Sequence, residues 1–132
     1  MAQAYSMEGF EIRIDGNVLE MRTEGARTAD MGVDTGRSFQ SFMDNSDIRG
    51  IIFDVRGAHY VFTDLEWEER ARLLARLCHH VPSAMICRPD QADQVARVVK
   101  HFEARGGKTQ VCRSRLAARA WLDRCVSPDL AD

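Results

Sequence analysis

The sequence lacks the features that define three large classes of protein. No stretch approaches the ~20 apolar residues that a membrane-spanning helix needs. The first residues, MAQAYSMEGFEI, contain neither the basic nor the apolar region of a secretory signal peptide. The formal net charge is -2, whereas a dedicated nucleic-acid-binding protein usually presents a basic face. We therefore expect a cytoplasmic protein that is not an integral membrane protein and does not bind nucleic acid.

The four cysteines include no C-x-x-C pair. Each stands in an apolar context, which favours buried, reduced thiols, although the even count leaves disulfide pairing open. Cys78 is followed by His79 and His80, but successive helical residues point in different directions and cannot converge on one ion. No second pair of ligands stands at zinc spacing, so we predict no metal site.

Catalytic motifs are missing as well. The sequence has no nucleophile elbow and no glycine-rich oxyanion loop. The glycine-containing stretch GARTADMGVDTG matches neither a phosphate loop nor a calcium loop. We expect a protein that is not an enzyme and that needs no cofactor.

The chain does contain a regular succession of strand and helix patterns. Its 132 residues, 45% of them hydrophobic, suffice for one core, which predicts a single domain over 1–132, with a core over about 10–124 and frayed termini. Two alternating segments joined at Asp15-Gly16 predict a β-hairpin. The full order, β-β-α-β-α-β-α-β-α, predicts an α/β fold with a mixed, mostly parallel sheet and helices packed on it.

Some boundaries follow from individual residues. Gly32 and Gly36 weaken the beginning of a helix that ends near Asp44, so the segment from Gly25 to Asp34 is predicted to be a loop or a loosely formed first turn. The run IIFDV, apolar on both faces, predicts a buried central strand. A helix is predicted from about Asp64 to His79.

Thr63 stands where this strand pattern changes to a helix pattern. Together with Glu66 it forms a T-x-x-E capping box, in which each side chain bonds to the backbone N–H of the other residue. Asp64 and Glu66 also stand where the helix dipole favours negative charge. Capping alone explains these residues, and a functional site is the alternative.

The stretch IIFDVRGAHYVFTDLEW, with the order of elements, resembles the STAS superfamily, the sulphate transporter and anti-sigma factor antagonist domains. Members have a buried strand that ends in Asp or Asn, a glycine-containing bend, an aromatic-aliphatic pair and then Asp-Ser-Ser-Gly. Asp54, Gly57 and Tyr60-Val61 match the first three features, and residues 62–65 replace the last. The end, TQVCRSRLAARAWL, resembles the STAS-like subgroup related to SEC14 lipid-binding modules.

The resemblance implies a non-catalytic regulatory module that binds a protein partner, either an anti-sigma-type kinase or another regulator, and it is compatible with a homodimer. In the antagonist branch, phosphorylation of a serine in the Asp-Ser-Ser-Gly turn ends partner binding. By position that serine falls on Asp64, which a serine kinase cannot phosphorylate, and Thr63 is the neighbouring hydroxyl. We expect that the switch is lost, with Asp64 as a fixed negative charge; weak retention at Thr63 is the alternative.

The resemblance also predicts a surface that binds the partner. The loop after the hairpin, EGARTADMG, lies near the phosphoacceptor in the family, and here Arg27-Thr28 replaces an apolar-acid pair. The predicted surface therefore combines Arg27 and Thr28 with Thr63, Asp64 and the start of the following helix. Arg27 contacts an anion in one interpretation and is a solvated loop arginine in the commoner one.

The alternative function is that of a carrier for a small apolar ligand or lipid. Trp67 lies in the first turns of the predicted helix, and core packing is its simplest role because aromatic side chains bury large areas. In the functional interpretation it forms the wall of an apolar pocket with Phe39, Phe42 and Tyr60.

Overall fold

The sheet of this protein has six strands that lie side by side in the order of the sequence. A computed structural model describes residues 3–7, 9–45 and 47–126. The strands are β1 Gln3–Met7, β2 Phe10–Asp15, β3 Val18–Thr28, β4 Gly50–Val61, β5 Ser83–Ile86 and β6 Thr109–Cys112. The pairs β1–β2 and β2–β3 are antiparallel, and the three pairs from β3 to β6 are parallel.

Four helices cover the two faces of the sheet. They are α1 Met31–Asn45, α2 Asp64–Cys78, α3 Ala92–Ala104 and α4 Arg115–Val126, and a 3₁₀ turn, Pro89–Gln91, precedes α3. The first three helices connect parallel strands that are neighbours, and right-handed crossovers of this kind place them on one face. They contribute Phe39, Ala71 and Phe102 to the larger core, whereas Ala118 and Leu122 of α4 pack on the opposite face. None of the described helices is long and apolar enough to span a membrane.

The predicted fold class is confirmed, with one additional strand. The mixed sheet, its mostly parallel pairing and the packed helices agree with the prediction. The strand that the sequence pattern missed is β1, which pairs with β2 over Gln3–Met7. Its segment, QAYSM, has no clear apolar alternation. It becomes a strand because β2 offers it a free edge, which is a tertiary constraint.

The prediction of a loop over residues 25–34 was wrong. β3 continues to Thr28, and α1 already begins at Met31. The reason is the length of β4, which runs to Val61 and pairs with the end of β3 through Gly25↔Ala58 and Thr28↔Val61. Gly25 has a φ of 76°, a conformation that glycine adopts without steric cost, so this glycine fits inside the strand.

The predicted bend at Gly57 takes the form of a β-bulge. Arg22 pairs with Asp54 and Glu24 pairs with Gly57, so one residue of β3 faces two residues of β4. A bulge of this kind bends a strand without ending it. The strand therefore passes through the glycine and reaches the corner that precedes α2.

Charged side chains join α2 to α3. Glu68 accepts a hydrogen bond from His101 at 2.7 Å and lies 3.6 Å from the guanidinium of Arg97. Arg97 also donates to the backbone carbonyl of Asp64 at 3.2 Å. The hydrogen bond from His101 is the largest cause that lowers the pKa of Glu68 below its usual 4.5.

This contact predicts an acid-sensitive contribution to stability. A carboxyl group whose pKa is lower in the folded state stabilises the fold above its unfolded pKa, and this contribution is lost as pH falls through the folded pKa. The free energy of unfolding should therefore decrease more steeply below pH 4.5 in the wild type than in Glu68→Gln. Urea unfolding at a series of pH values measures this difference. The control is Glu69→Gln, an exposed neighbour on the same helix, and an equal flattening by both variants would contradict the prediction.

Candidate functional site

The corner between β4 and α2 has the geometry that its sequence predicts. Thr63 is the N-cap of α2, and its Oγ1 accepts from the backbone N–H of Glu66 at 3.1 Å. The backbone N–H of Thr63 donates to Oε1 of Glu66 at 2.8 Å. Both bonds of the capping box are present, and β4 is an inner strand with parallel neighbours on both sides.

This corner lies on the surface. The side chain of Asp64 is 95% exposed, and its carboxylate lies 3.6 Å from Arg97. Two large apolar side chains flank the cap, Val61 at 57% exposure and Leu65 at 68%. The corner therefore presents a small apolar patch beside acidic groups.

A cavity of about 300 Å³ lies between the sheet and the helices α1, α2 and α3. This volume is at the lower end of the ~300–1,000 Å³ that is usual for small-molecule sites. Most of the lining is apolar, and it includes Phe39, Phe53, Trp67, Leu74, Met85 and Val98. The sequence predicted that Phe39, Phe42, Tyr60 and Trp67 form the wall of an apolar pocket. Three of them, Phe39, Tyr60 and Trp67, line this cavity. Phe42 instead packs its ring 5.9 Å from that of Tyr5.

One group of polar side chains in the cavity comes from β3, β4 and α2. Oη of Tyr60 lies 2.8 Å from Oγ1 of Thr23 and forms a hydrogen bond with it. Arg27 pairs with Tyr60 in the sheet register, and Arg70 of α2 completes the group. Arg27 is only 6% exposed, so a charged side chain lies largely out of water here.

Burial changes the ionisation of two of these groups. It raises the pKa of the Tyr60 hydroxyl, while the hydrogen bond to Thr23 and the nearby charges of Arg70 and Arg27 oppose this shift. Burial also lowers the pKa of the Arg70 guanidinium; the positive charge of Arg27 acts in the same direction, and Tyr60 acts against it. Arg27 is therefore close enough to affect the ionisation of Arg70.

Three aromatic rings stand between this polar group and the corner. The ring of Trp67 lies 5.1 Å from that of Tyr60 and 4.8 Å from that of Phe62, measured between centroids. The Arg70 guanidinium carbon lies 6.0 Å from the centroid of Phe62, at the limit of a cation–π contact. These contacts hold the side chains of the cavity mouth in place.

Side chains supply hydrogen-bond partners to the backbone carbonyls of β4 where it extends beyond β5. β5 pairs with β4 only as far as Asp54. Beyond that point Nε2 of Gln91 donates to the carbonyls of Val55, at 2.7 Å, and Ala58, at 3.1 Å. Arg88 donates to the carbonyl of Arg56. The 3₁₀ turn thus replaces the missing strand and closes one side of the cavity.

The residues that were predicted to form one binding surface lie in two separate places in the structure. Arg27 and Tyr60 belong to the cavity with Trp67, and Thr28, an exposed residue, lies at its rim. Thr63, Asp64 and Glu66 form the exposed corner, and none of them lines the cavity. The interpretation of Arg27 as a solvated loop arginine was wrong, because β3 continues through this residue and turns its side chain inward.

Sequence reasoning missed Arg70 and Gln91. Arg70 lies three residues after Trp67 and four before Leu74, which is the spacing of one helix face. That spacing was the available signal. For Gln91 the sequence carried none, because its partners are backbone carbonyls of a strand more than 30 residues away.

The four cysteines are unpaired in the structure. Burial raises the pKa of the Cys78 thiol to about 12, which keeps it protonated and unreactive at neutral pH. Across residues 3–7, 9–45 and 47–126, no group of three or more His, Cys, Asp or Glu side chains is placed to hold a metal ion.

The fold of the protein is SpoIIAA-like, as the resemblance to the STAS superfamily predicted. The structure is similar to that of an uncharacterised DUF3478-family protein from Shewanella loihica PV-4, which is described as having a SpoIIAA-like fold. The TM-score is 0.52 and the sequence identity 12%, over 92% of each chain, so the likeness is one of fold. No family model and no curated protein matches the sequence.

The capping box leads to a prediction about stability. Thr63→Ala removes the side-chain acceptor of the Glu66 N–H and should lower the free energy of unfolding by about 1 kcal/mol. Chemical denaturation measures the loss. Thr63→Ser keeps the hydroxyl and serves as the control. An alanine variant as stable as the serine variant would show that the cap contributes nothing.

Proposed function

We propose that this protein is a non-catalytic STAS-like module that binds a small apolar molecule in the cavity between its sheet and helices α1–α3. The observation that carries the proposal is the cavity itself, about 300 Å³ in volume and lined mainly by apolar side chains. Its location supports the proposal, because ligands of open α/β sheets bind near the carboxyl ends of the parallel strands. Here those ends contribute Ala58, Tyr60 and Met85 to the lining.

Packing energetics favour an occupant. Protein interiors are normally packed as densely as organic crystals, with few voids larger than a water molecule. This cavity is open to solvent at its mouth, so its mostly apolar walls face water, and each Å² of apolar surface exposed in this way costs roughly 25 cal/mol. A molecule that fills the space with apolar contacts recovers much of that loss. The cavity is therefore better explained as a binding site than as a packing defect.

Partner binding through the corner is the second candidate function. Val61 and Leu65 expose apolar surface on either side of the Thr63 cap, beside the charge of Asp64. This is the position at which the STAS resemblance places a regulatory contact. The hydroxyl of Thr63 already serves the helix as a cap, and Asp64 supplies a permanent negative charge. We propose that any contact here is constitutive and that the phosphorylation switch is lost.

Filling the cavity should both stabilise the protein and block the ligand. Val95→Phe extends a ring from α3 into the cavity, and we expect the free protein to gain about 1 kcal/mol of stability, as in other cavity-filling substitutions. Titration calorimetry with decan-1-ol should show binding to the wild type and little or none to this variant. The matched control is Val99→Phe on the same helix, since Val99 does not line the cavity.

Two results would contradict the proposed function. One is decan-1-ol binding to Val95→Phe as tightly as to the wild type. The other is a wild-type protein that takes up neither decan-1-ol nor decanoate. Thermal unfolding of both phenylalanine variants without ligand shows whether each is folded, so that a loss of binding cannot be mistaken for a loss of structure.

The corner is tested separately by a charge placed in its apolar patch. Leu65→Glu should abolish retention of any protein that co-purifies with the wild type from native lysate, because it puts a carboxylate into the apolar contact. Leu116→Glu changes another exposed leucine, 81% exposed, on α4 and is the control. Proteins retained equally by the wild type and both variants would show that the corner binds no partner.

A further inference from the structure

A pair of hydroxyl groups lies inside the apolar cavity. Oγ1 of Thr23 and Oη of Tyr60 are 2.8 Å apart and hydrogen-bonded to each other, and both residues line the cavity. Thr23 is only 6% exposed. Its neighbours in the lining are apolar, because it pairs with Phe10 of β2 and follows Met21 by two residues on the same face of β3. The hydroxyl pair is therefore a polar group in apolar surroundings.

The hydroxyl of Tyr60 lies inside the mouth of the cavity. Tyr60 pairs with Arg27 in the sheet register, yet its hydroxyl contacts Thr23, which stands four residues earlier on β3. The ring therefore lies along the sheet and points toward the amino ends of the parallel strands. Burial raises the pKa of this hydroxyl, which agrees with a position away from bulk water. The body of a bound molecule would thus lie against the hydroxyl pair.

The pair has one proton more than its own bond uses. Two hydroxyl groups carry two protons, and the bond between them uses one, whichever group donates. The hydroxyl that accepts this bond keeps a proton of its own. Among the groups that the structure describes, neither hydroxyl has a second hydrogen-bond partner. Water can accept the proton in the ligand-free protein, but a ligand that displaces the water has to supply an acceptor.

This requirement distinguishes between apolar ligands. A hydrocarbon leaves the proton without an acceptor, and so does a ligand whose only polar group is an ammonium ion, which accepts no hydrogen bond. A buried donor without an acceptor loses its hydration and receives nothing in return, which weakens binding. A carbonyl or hydroxyl oxygen accepts the proton, while the rest of the molecule keeps its apolar contacts.

We propose that the ligand is an apolar molecule with an oxygen acceptor, and that this oxygen accepts a hydrogen bond from the hydroxyl pair of Thr23 and Tyr60. This inference rests on the proposed function and assigns the chemical class of its ligand. The apolar wall holds the body of the molecule, and the hydroxyl pair fixes the position of its oxygen. Both residues belong to the site, because either hydroxyl can donate to the ligand while it accepts from the other.

The decisive variant removes both hydroxyls and keeps the shape of the cavity. After Thr23→Val alone or Tyr60→Phe alone, the remaining hydroxyl still donates, so the double variant Thr23→Val/Tyr60→Phe is needed. Replacing both partners of a hydrogen bond by apolar groups of the same shape has little effect on stability, and thermal unfolding should show a folded protein. The matched control, Tyr5→Phe/Thr109→Val, loses the same two groups at positions outside the described lining.

Acetophenone and α-methylstyrene test the role of the oxygen. The two molecules have the same planar shape and differ only in that C=O replaces C=CH₂. Calorimetry should show that the double variant at the hydroxyl pair binds acetophenone about tenfold more weakly than the wild type does, and α-methylstyrene at least as tightly. Decan-1-ol, whose hydroxyl also accepts, should respond as acetophenone does. The control variant should bind all three molecules as the wild type does.

Infrared spectroscopy tests the same bond without relying on the variant. Hydrogen bonding lowers the stretching frequency of a carbonyl group, so acetophenone bound to the wild type should absorb at a lower frequency than acetophenone in hexane. In Thr23→Val/Tyr60→Phe the frequency should move back toward the value in hexane.

The outcomes separate the two proposals. An acetophenone affinity that is unchanged in the double variant, or an equal loss for acetophenone and α-methylstyrene, would overturn the oxygen proposal and leave the apolar carrier in place. A carbonyl frequency in the wild type equal to that in hexane would do the same. Binding of none of the three molecules would remove the carrier function, and the oxygen proposal with it.

Discussion

The cavity depends on the unequal lengths of two neighbouring strands. β4 has twelve residues and β5 has four, so the outer half of β4 extends beyond its partner. An unpaired strand edge inside a protein leaves backbone groups without hydrogen-bond partners, which is costly. Gln91 and Arg88 supply those partners from the 3₁₀ turn. Because the replacement is a pair of side chains and not another strand, space remains between the extended sheet and the helices.

The local sequence patterns were sufficient to predict the core of this fold. The hairpin at Asp15-Gly16, the central strand IIFDV and the helix after Thr63 all follow from alternation, turn chemistry or capping, which act within a few residues. The missed features, β1 and the end of β3, depend on pairing with strands that are distant in sequence or that extend further than expected. Such pairing depends on tertiary contacts, which local patterns in a single sequence do not predict.

The residues of the candidate site likewise divide into those that local sequence predicts and those that depend on tertiary contacts. Thr63 and Glu66 were predictable because they satisfy each other across three residues, and the aromatic wall was partly predictable from Trp67. The buried state of Arg27 was not predictable, since it requires β3 to run beyond its hairpin. Resemblance to the STAS pattern placed Arg27 and Thr63 on one surface, whereas the structure assigns one to a cavity and the other to an exposed helix end. The two proposed kinds of binding can therefore be tested by separate substitutions.

The bulge in β4 also decides which side chains face the cavity. Before the bulge the odd-numbered residues Phe53 and Val55 point to the cavity, and after it the even-numbered Ala58 and Tyr60 do so. In β3, which has no extra residue, the odd-numbered residues Thr23 and Arg27 both face the cavity. Loss of one residue from this part of β4 would remove the bulge, and Tyr60 would keep its pairing with Arg27 and its place on the cavity side. The bulge therefore absorbs the loss of one residue without a change in which side chains line the cavity, whereas a one-residue shift of the pairing beyond it would turn Tyr60 outward.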